Sequence, residues 1–251
     1  MTLWLIGGTG ESRELVIALT ALGIPWRATV TTETARQLYP TGACVEVGAL
    51  PPERMPDWCR QRGIRGVLDA SHPFAEVVST GAIAAARQLE LPYLRYERPD
   101  LAGETVDLED LLTGDRLEGE RVLLILGYRL LPWFRDWQSR ALLFSRILPS
   151  PVALETALAC GFAPERILAL RPPLSVELER ALWQHWRISL VVAKASGRAG
   201  GEDVKAAIAA DLGIPLLRLA RPRPHYPAQV DTIAGALDWA QRLRLYSHDP
   251  D

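Results

Sequence analysis

Lysine is scarce in this chain of 251 residues, because all of its 28 basic residues except Lys194 and Lys205 are arginines. The chain also has no strong excess of positive or negative charge, since its formal net charge at pH 7 is −2. A chain without a strong positive field has no general attraction for DNA or RNA, so we expect no nucleic-acid partner. Any anionic ligand must be held by local groups of positively charged residues.

Cysteine is nearly as rare, and Cys44, Cys59 and Cys160 form no CxxC pair. Such an odd, dispersed set disfavours a disulfide framework or a structural zinc site, so we expect no metal. No apolar run approaches the roughly 20 residues of a membrane span. The first residues lack the basic segment of a signal peptide and resemble a strand. We therefore expect a cytoplasmic protein without a membrane partner.

Strand and helix patterns alternate along the chain, of which 48% is hydrophobic and 23% charged. The predicted strands are 3–6, 27–30, 44–47, 66–69, 93–95, 121–126, 142–147, 167–170, 188–192 and 216–219. The predicted helices are 12–22, 34–38, 51–62, 75–89, 154–160, 175–185, 202–212 and 230–243. This alternation predicts an α/β protein whose parallel sheets are covered by helices on both faces.

A polar, glycine-containing segment from Arg98 to Glu120 interrupts the alternation and is predicted to cross between domains. The five predicted strands on either side of it indicate two Rossmann-like, three-layer domains with parallel sheets and a cleft between them. We expect an N-terminal domain over residues 1–98, which carries a cofactor phosphate loop. We expect a C-terminal domain over residues 99–251, which carries a substrate or cofactor loop.

A glycine-rich loop, residues 7–13, follows the first predicted strand and opens the first helix. Glycines let a phosphate approach the backbone, and a helix N-terminus offers free N–H donors and a partial positive charge. Arg13 adds a fixed positive charge, which favours an anionic ligand. The GxGxxG spacing is not met, and a tight strand-to-helix turn without a ligand is the alternative.

The end of the second predicted strand carries Thr31 and Thr32, and Arg36 follows shortly after. In dinucleotide-binding folds an acid at this place binds the ribose of NAD, whereas an arginine accommodates the 2′-phosphate of NADP. The two threonines and Arg36 favour NADP over NAD. Glu33 fits that pattern less well, and Arg36 as a solvated helix residue is the alternative.

A histidine is displayed directly after the fourth predicted strand, in the segment 69–75 that begins with Asp69. The carboxyl ends of parallel strands are where binding crevices form. His72, with a side-chain pKa near neutrality, can donate a proton or hold an anion there. The alternative is that Asp69 caps a helix and His72 lies on the surface.

Both lysines flank a second glycine-rich loop, residues 194–205, which follows a buried strand. In a chain that otherwise uses arginine, two lysines here suggest selection for a compact ammonium group. The loop lacks the Gly-Lys-Ser/Thr of a Walker A sequence, which disfavours ATP hydrolysis, and a flexible solvent loop is the alternative. Further arginines follow or end predicted strands, and their convergence would suit a polycarboxylate: Arg129, Arg146, Arg171, Arg221 and Arg223.

Several motifs occur in a fixed order along nearly the whole chain. They are residues 7–13, 69–75, 95–99 (Arg-Tyr-Glu-Arg-Pro), 194–197 with Lys205, 212–215 (Leu-Gly-Ile-Pro) and 221–222 (Arg-Pro). Together they resemble the precorrin-6A reductase family of cobalamin biosynthesis, which includes cobalt-precorrin-6A reductases. The chain departs from that pattern at Ser71, where threonine is commoner.

The resemblance implies an oxidoreductase that uses NADPH to reduce one double bond of the precorrin-6A macrocycle, or of its cobalt form, giving precorrin-6B. It implies cofactor contacts from Gly7, Gly8, Thr9, Gly10, Glu11, Ser12, Arg13, Thr31, Thr32 and Arg36. It implies substrate contacts from Ser71, His72, Arg129, Lys194, Ser196, Gly197 and Lys205, with Asp69 and His72 as catalytic residues. Water is an alternative proton source. The other functional hypotheses are a non-catalytic nucleotide-binding sensor and a two-domain sugar or nucleotide transferase.

Overall fold

Two all-parallel sheets organise residues 1–246, the part of the chain that the computed structural model describes. The strands are β1 (Thr2–Ile6), β2 (Trp26–Val30), β3 (Val45–Val47), β4 (Ile64–Asp69), β5 (Tyr93–Tyr96), β6 (Arg121–Ile125), β7 (Leu142–Ile147), β8 (Ile167–Ala169), β9 (Leu190–Lys194), β10 (Leu216–Leu219) and β11 (Gln229–Val230). The helices are α1 (Gly10–Ala21), α2 (Glu33–Arg36), α3 (Met55–Gln61), α4 (Glu76–Gln88), α5 (Leu108–Thr113), α6 (Pro151–Ala159), α7 (Val176–His185), α8 (Glu202–Leu212) and α9 (Ile233–Tyr246).

The first sheet has the strand order β3-β2-β1-β4-β5-β11. This is the 3-2-1-4-5-6 order of the Rossmann fold. One face carries a core in which Leu15 of α1 and Ala236 of α9 pack over Leu5 and Leu68. The opposite face carries a second core built from β1, β4, α3 and α4, around the fully buried Trp4. Apolar side chains on both faces explain why the strands have nearly continuous hydrophobic sequences.

The second sheet has the order β8-β7-β6-β9-β10, which repeats the 3-2-1-4-5 part of the same arrangement. Its core on one face joins Leu123 of β6 and Val191 of β9 to Trp183 of α7 and Ile208 of α8. The prediction of two Rossmann-like α/β domains with parallel sheets is therefore confirmed.

The domain boundaries differ from the prediction at the C-terminal end. The chain divides into a first unit, Met1–Pro99 with Pro222–Asp251, and a second unit, Asp100–Arg221. The predicted extent of the second domain, residues 99–251, is therefore wrong for residues 222–246, and residues 247–251 lie outside the described part of the chain. The reason is that β11 pairs with β5 and α9 packs against α1, which adds a sixth strand and a helix to the first sheet.

Most predicted elements are present, and their ends move by a few residues. The predicted helix 230–243 begins later, because Val230 pairs with Tyr96 as part of β11. Short 3₁₀ helices, Tyr128–Phe134 and Asp136–Ser139, fill a region for which the sequence predicted no element. Among the described residues, no helix is long and apolar enough to cross a membrane.

Candidate active site

The two motifs of the first unit meet at the point where the strand order reverses. Strands β1 and β4 are neighbours, and the chain leaves them toward opposite edges of the sheet, which opens a crevice at their carboxyl ends. The Thr9 hydroxyl donates to the Ala70 carbonyl at 3.0 Å, and the Ala70 N–H donates to the Ile6 carbonyl. The glycine-rich loop after β1 and the histidine turn after β4 are thus one connected structure.

A buried tyrosine, Tyr39, hydrogen-bonds to the glycine-rich loop and holds its shape. The Gly8 N–H donates to the Tyr39 hydroxyl at 2.9 Å, and that hydroxyl lies 2.6 Å from the Ser12 Oγ. Gly7 is required here, because a Cβ at this position would overlap the Tyr39 hydroxyl. Gly8 has a φ of 101°, a backbone conformation that favours glycine. Burial raises the pKa of Tyr39, so the phenol stays protonated.

Thr9 and Ser12 close the start of α1 as a reciprocal cap. The Ser12 N–H donates to Thr9 Oγ1 at 3.1 Å, and the Thr9 N–H donates to Ser12 Oγ at 3.0 Å. Ser12 is fully buried, and its hydroxyl shapes the turn. The Thr9 hydroxyl is likewise engaged within the protein, and the cofactor contacts predicted for both residues stay predictions.

Two backbone donors remain at this helix N-terminus. Among the described residues, none accepts a hydrogen bond from the N–H of Gly10 or Glu11. A Cβ at Gly10 would have no atom within 4 Å, so the space beside the loop is open. Open space, two donors and the N-terminus of a 12-residue helix fit the pyrophosphate of a dinucleotide.

The charged residues of this loop differ in their surroundings. Glu11 pairs with Arg98 at 3.1 Å, and its Oε2 is buried without a hydrogen-bond partner. Arg13 is exposed one turn into α1. The positive charge predicted beside the phosphate loop is therefore accessible, whereas Glu11 is held by a neighbouring arginine.

At the end of β2, Thr31 and Thr32 are both exposed. Thr32 caps α2 by accepting the Ala35 N–H at 3.1 Å. The Arg36 guanidinium donates to the carbonyls of Pro40 and Ala43 at 3.3 and 3.5 Å. The guanidinium of Arg36 is thus bound to the loop that follows α2. No bound cofactor shows whether it also contacts a 2′-phosphate, so the preference for NADP over NAD stays a prediction.

Asp69 lies beneath the histidine turn, with no solvent exposure. Its carboxylate accepts from Ser79 Oγ at 2.6 Å, Tyr93 Oη at 2.7 Å and Arg95 Nη1 at 2.9 Å, and also from the Ser71 N–H. All four donors belong to the protein, so the carboxylate is fully engaged by its neighbours. Asp69 therefore holds together the residues around the histidine turn, and the catalytic role predicted for it stays a prediction.

Arg95 is a buried partner of Asp69 and was not predicted as a site residue. It is 1% exposed, pairs with Asp69 and Glu97, and donates to Ser71 Oγ at 2.9 Å. The neighbouring carboxylates raise the pKa of Arg95 against the effect of burial, so its charge is retained. The Ser71 hydroxyl is buried and accepts from Arg95, and the substrate contact predicted for Ser71 stays a prediction. An arginine inside an otherwise apolar strand was the available signal.

His72 is exposed at the top of this network. Its Nδ1 accepts the Phe74 N–H at 3.2 Å, which places the proton of the neutral imidazole on Nε2. The two rings are tilted, with centroids 6.0 Å apart. The turn therefore presents a histidine with a defined hydrogen-bond donor.

The second unit repeats this arrangement at β6 and β9. Their carboxyl ends carry Tyr128 and Arg129 on one side and Lys194 with the glycine-rich loop on the other. Arg129 is exposed and lies over the Tyr128 ring at 5.4 Å. Burial, together with the positive charge of Arg129, lowers the pKa of Lys194 to about 8.

A buried lysine, Lys205, holds the glycine-rich loop of the second unit through hydrogen bonds to its backbone. The Lys205 ammonium donates to the carbonyls of Gly200 and Gly201, each at 2.8 Å, and the side chain is only 5% exposed. The ammonium is thus used to shape the loop, and the substrate contact predicted for Lys205 stays a prediction. Ser196 is also mostly buried, and a Cβ on Gly200 would overlap its hydroxyl.

A buried glutamate, Glu202, also stabilises this glycine-rich loop. Glu202 accepts the Gly197 N–H at 2.6 Å and pairs with Arg218, which also reaches Asp100 at 3.2 Å. Sequence reasoning missed Glu202 and Arg218, because neither stands out by type or spacing. Among the described residues, no group of three or more His, Cys, Asp and Glu side chains could hold a metal ion.

Two Rossmann-type sheets, each with a glycine-containing loop at its reversal point, place the chain in the doubly wound α/β class. A family model described as "Precorrin-6x reductase CbiJ/CobK" matches residues 2–241. The chain therefore belongs to the precorrin-6x reductase family, as the motifs predicted, and it is an oxidoreductase of cobalamin biosynthesis.

Named relatives agree with this assignment. A cobalt-precorrin-6A reductase of Synechocystis sp. is 46% identical over 252 residues, covering 96% of both chains. A precorrin-6A reductase of Rhodococcus erythropolis is 30% identical, covering 95% of this chain and 97% of the relative. The solved structure of a CobK precorrin-6A reductase has a TM-score of 0.78 at 24% identity and covers 97% of both chains, which confirms the fold.

Proposed function

We propose that this protein is a cytoplasmic enzyme that uses NADPH to reduce one double bond of cobalt-precorrin-6A, giving cobalt-precorrin-6B. A nicotinamide cofactor follows from the reductase family, and the choice of NADPH is the proposal. The cobalt form is favoured because the 46% identical relative bears that substrate in its name, while precorrin-6A reductases such as that of Rhodococcus erythropolis are 30% identical.

The single observation that carries the proposal is the open glycine-rich loop at the reversal point of the first sheet. We assign the cofactor pyrophosphate to the open space beside Gly10 and to the N–H groups of Gly10 and Glu11, which have no acceptor among the described residues. Gly7, Thr9 and Ser12 hold this loop in shape. When bound there, NADPH supplies a hydride.

The charge around the loop supports the same assignment. Exposed Arg13 adds a positive charge beside the phosphates, and Thr31 and Thr32 offer exposed hydroxyls at the place that binds the adenosine ribose in Rossmann folds. Arg36 contributes a positive charge near the 2′-phosphate, although its guanidinium already binds two carbonyls. Glu11, neutralised by Arg98, does not oppose an anion at this place.

We propose that macrocycle carboxylates are bound by residues that follow strand ends, taking each unit by itself. The first unit offers the Nε2–H of His72, and the second offers the exposed Arg129 and the half-buried Lys194. Ser196 and Gly197 follow Lys194 as further candidates, with Ser196 mostly buried and the Gly197 N–H already donated to Glu202. Charge-assisted hydrogen bonds to carboxylates are stronger than neutral ones, which suits this set. Proton donation by His72 is the alternative to anchoring, and kinetics of a His72 variant distinguish the two.

An anaerobic assay with purified protein tests the proposal. Cobalt-precorrin-6A and metal-free precorrin-6A are each offered with NADPH and with NADH, and nicotinamide and macrocycle absorbance are followed together. We expect turnover that requires the macrocycle, is fastest with the cobalt form and prefers NADPH.

Absence of turnover with every pair would contradict the enzyme proposal. Binding of a dinucleotide without turnover would then favour a sensor. Faster turnover of the metal-free substrate, or a preference for NADH, would correct only the corresponding part of the proposal.

A further inference from the structure

We infer that Arg54 is a specificity-determining residue, whose guanidinium binds the 2′-phosphate of NADPH. The inference rests on the proposed function and deepens it, because the residue that separates NADPH from NADH is now named. It concerns the first unit alone, where Arg54 lines a cavity at the carboxyl ends of β2 and β3.

This cavity lies beside the place where the cofactor ribose is expected. It measures about 350 Å³ and is lined by Thr29 of β2 and by the loop that follows β3, residues 48–51. The Gly48 N–H donates to the Val30 carbonyl at 2.9 Å, which ties this loop to the end of β2. The next two residues of the chain, both exposed threonines, are at the position that binds the adenosine ribose in Rossmann folds. A group attached to that ribose can therefore reach the cavity.

The loop that follows β3 leaves room for such a group. Gly48 has a φ of 124°, a backbone conformation that favours glycine. A Cβ on Gly48 would have no atom within 4 Å, and Val47 and Ala49 on either side are exposed. The volume of the cavity is at the small end of ligand sites, which suits one part of a dinucleotide.

Both carboxylates that line the cavity are already bound to arginines. Glu46 accepts from Arg62 Nε at 2.6 Å and Nη2 at 3.0 Å, and from Trp58 Nε1 at 2.8 Å. Burial opposes the charge of Glu46, but these hydrogen bonds lower its pKa, so the carboxylate stays ionised beside Arg62. Asp57 pairs with Arg60 at 2.8 Å. Each carboxylate of the cavity therefore has an arginine of its own.

Arg54 is the positive charge that this pairing leaves over. Among the described residues, none accepts a hydrogen bond from its guanidinium or forms an ion pair with it. Its backbone is held at the end of the short 3₁₀ helix Pro52–Arg54, where its N–H donates to the Pro51 carbonyl at 3.0 Å. An exposed guanidinium with all its donors available can bind a phosphate through two parallel hydrogen bonds.

Arg36, the other arginine near the end of β2, is used differently. Its guanidinium donates to the carbonyls of Pro40 and Ala43, whereas that of Arg54 is engaged by no carbonyl of the described residues. A phosphate bound by Arg36 has to share these donors with the protein. Arg54 is therefore the principal contact of the 2′-phosphate, and Arg36 adds charge nearby.

A binding cycle tests the inference without turnover. Dissociation constants of NADPH and NADH are measured by isothermal titration calorimetry for the wild type, Arg54→Ala and Arg54→Lys. The two cofactors differ only in the 2′-phosphate, so the change in the ratio of their Kd values isolates the contact. Adenosine 2′,5′-bisphosphate and AMP repeat the comparison without the nicotinamide.

We expect Arg54→Ala to weaken NADPH binding roughly 10- to 100-fold, the range of hydrogen bonds to charged groups. Its effect on NADH should stay within about twofold. Arg54→Lys keeps the charge but loses the paired donors, so its NADPH affinity should fall between those of the wild type and Arg54→Ala. Arg87→Ala is the matched control, because it removes an exposed arginine of α4 that does not line the cavity. It should leave the ratio unchanged, and circular dichroism verifies that each variant folds.

A second readout reports on the phosphate itself. The 2′-phosphate of bound NADP⁺ is followed by ³¹P NMR as the pH is varied. The second pKa of a phosphate monoester is about 6, and a neighbouring guanidinium lowers it by favouring the dianion. We expect a lower titration midpoint in the wild-type complex than in free NADP⁺. In the Arg54→Ala complex the midpoint should rise toward the free value.

Three results would overturn the inference alone. They are an unchanged NADPH affinity in Arg54→Ala, an equal loss of NADPH and NADH affinity, and a ³¹P midpoint that is the same in both proteins. A wild type that binds NADH as tightly as NADPH would overturn the proposed cofactor preference as well, so the two failures are distinguishable.

Discussion

Replacing Asp69 by Asn tests whether a buried ion pair holds the histidine turn. The carboxylate has no solvent exposure and receives four donors, among them Arg95, which is itself 1% exposed. Breaking such a pair leaves an uncompensated buried charge and costs about 3–5 kcal/mol. For a chain of this size that corresponds to a fall in Tm of roughly 6–20 °C.

The measurement combines urea unfolding with hydrogen exchange read peptide by peptide. We expect peptides of β4 and β5 to lose protection in Asp69→Asn, while peptides of β9 in the second unit keep it. Asp57→Asn is the matched control. That side chain is 71% exposed and pairs with Arg60 on the surface, so its loss should cost less than about 1 kcal/mol. An Asp69→Asn protein within about 1 kcal/mol of the wild type would refute the reasoning.

Three further predictions concern the loops. Gly7→Ala should weaken NADPH binding, measured by fluorescence titration, because the new Cβ overlaps the Tyr39 hydroxyl. Adding Tyr39→Phe should partly restore binding, and no recovery in the double variant would contradict this explanation. His72→Ala should raise KM with little change in kcat, whereas a lost kcat with intact binding would make His72 the proton donor. The pKa of Lys205 is about 8 in the folded protein, below the usual 10.5. Its positive charge therefore lowers the free energy of unfolding by up to about 3 kcal/mol below pH 8. This destabilisation decreases as the pH rises from 8 to 10.5, because the ammonium loses its proton. The wild type should therefore gain stability relative to Lys205→Met as pH rises from 7 to 10 in urea unfolding, and a constant difference would contradict this.

The sequence was sufficient for features that depend on neighbouring residues. The glycine-rich loop after β1 and the turn that displays His72 were both predicted, because a strand, a small-residue turn and a helix follow one another locally. The two-residue strand β11 was missed, because nothing in so short a segment shows which sheet it joins. The C-terminal helix α9 was predicted, but its packing on α1 was not.

Roles that depend on distant residues were harder to predict. Asp69 and Lys205 stand out by residue type, and both were interpreted as contacting a ligand. The donors around Asp69 come from α4 and β5, up to 26 residues away in the chain. The direction of Lys205 is set by its place on the inner side of α8. Sequence identifies these residues as important but does not show whether a polar group faces the ligand or the interior.

Transfer of a label from cofactor to macrocycle tests the central claim most directly. NADPH carrying deuterium at C4, prepared separately on each face of the ring, is incubated anaerobically with cobalt-precorrin-6A and the purified protein. The account predicts that one of the two preparations gives a product one mass unit heavier than the product of unlabelled NADPH. Product without deuterium from either preparation, or no product at all, would contradict it.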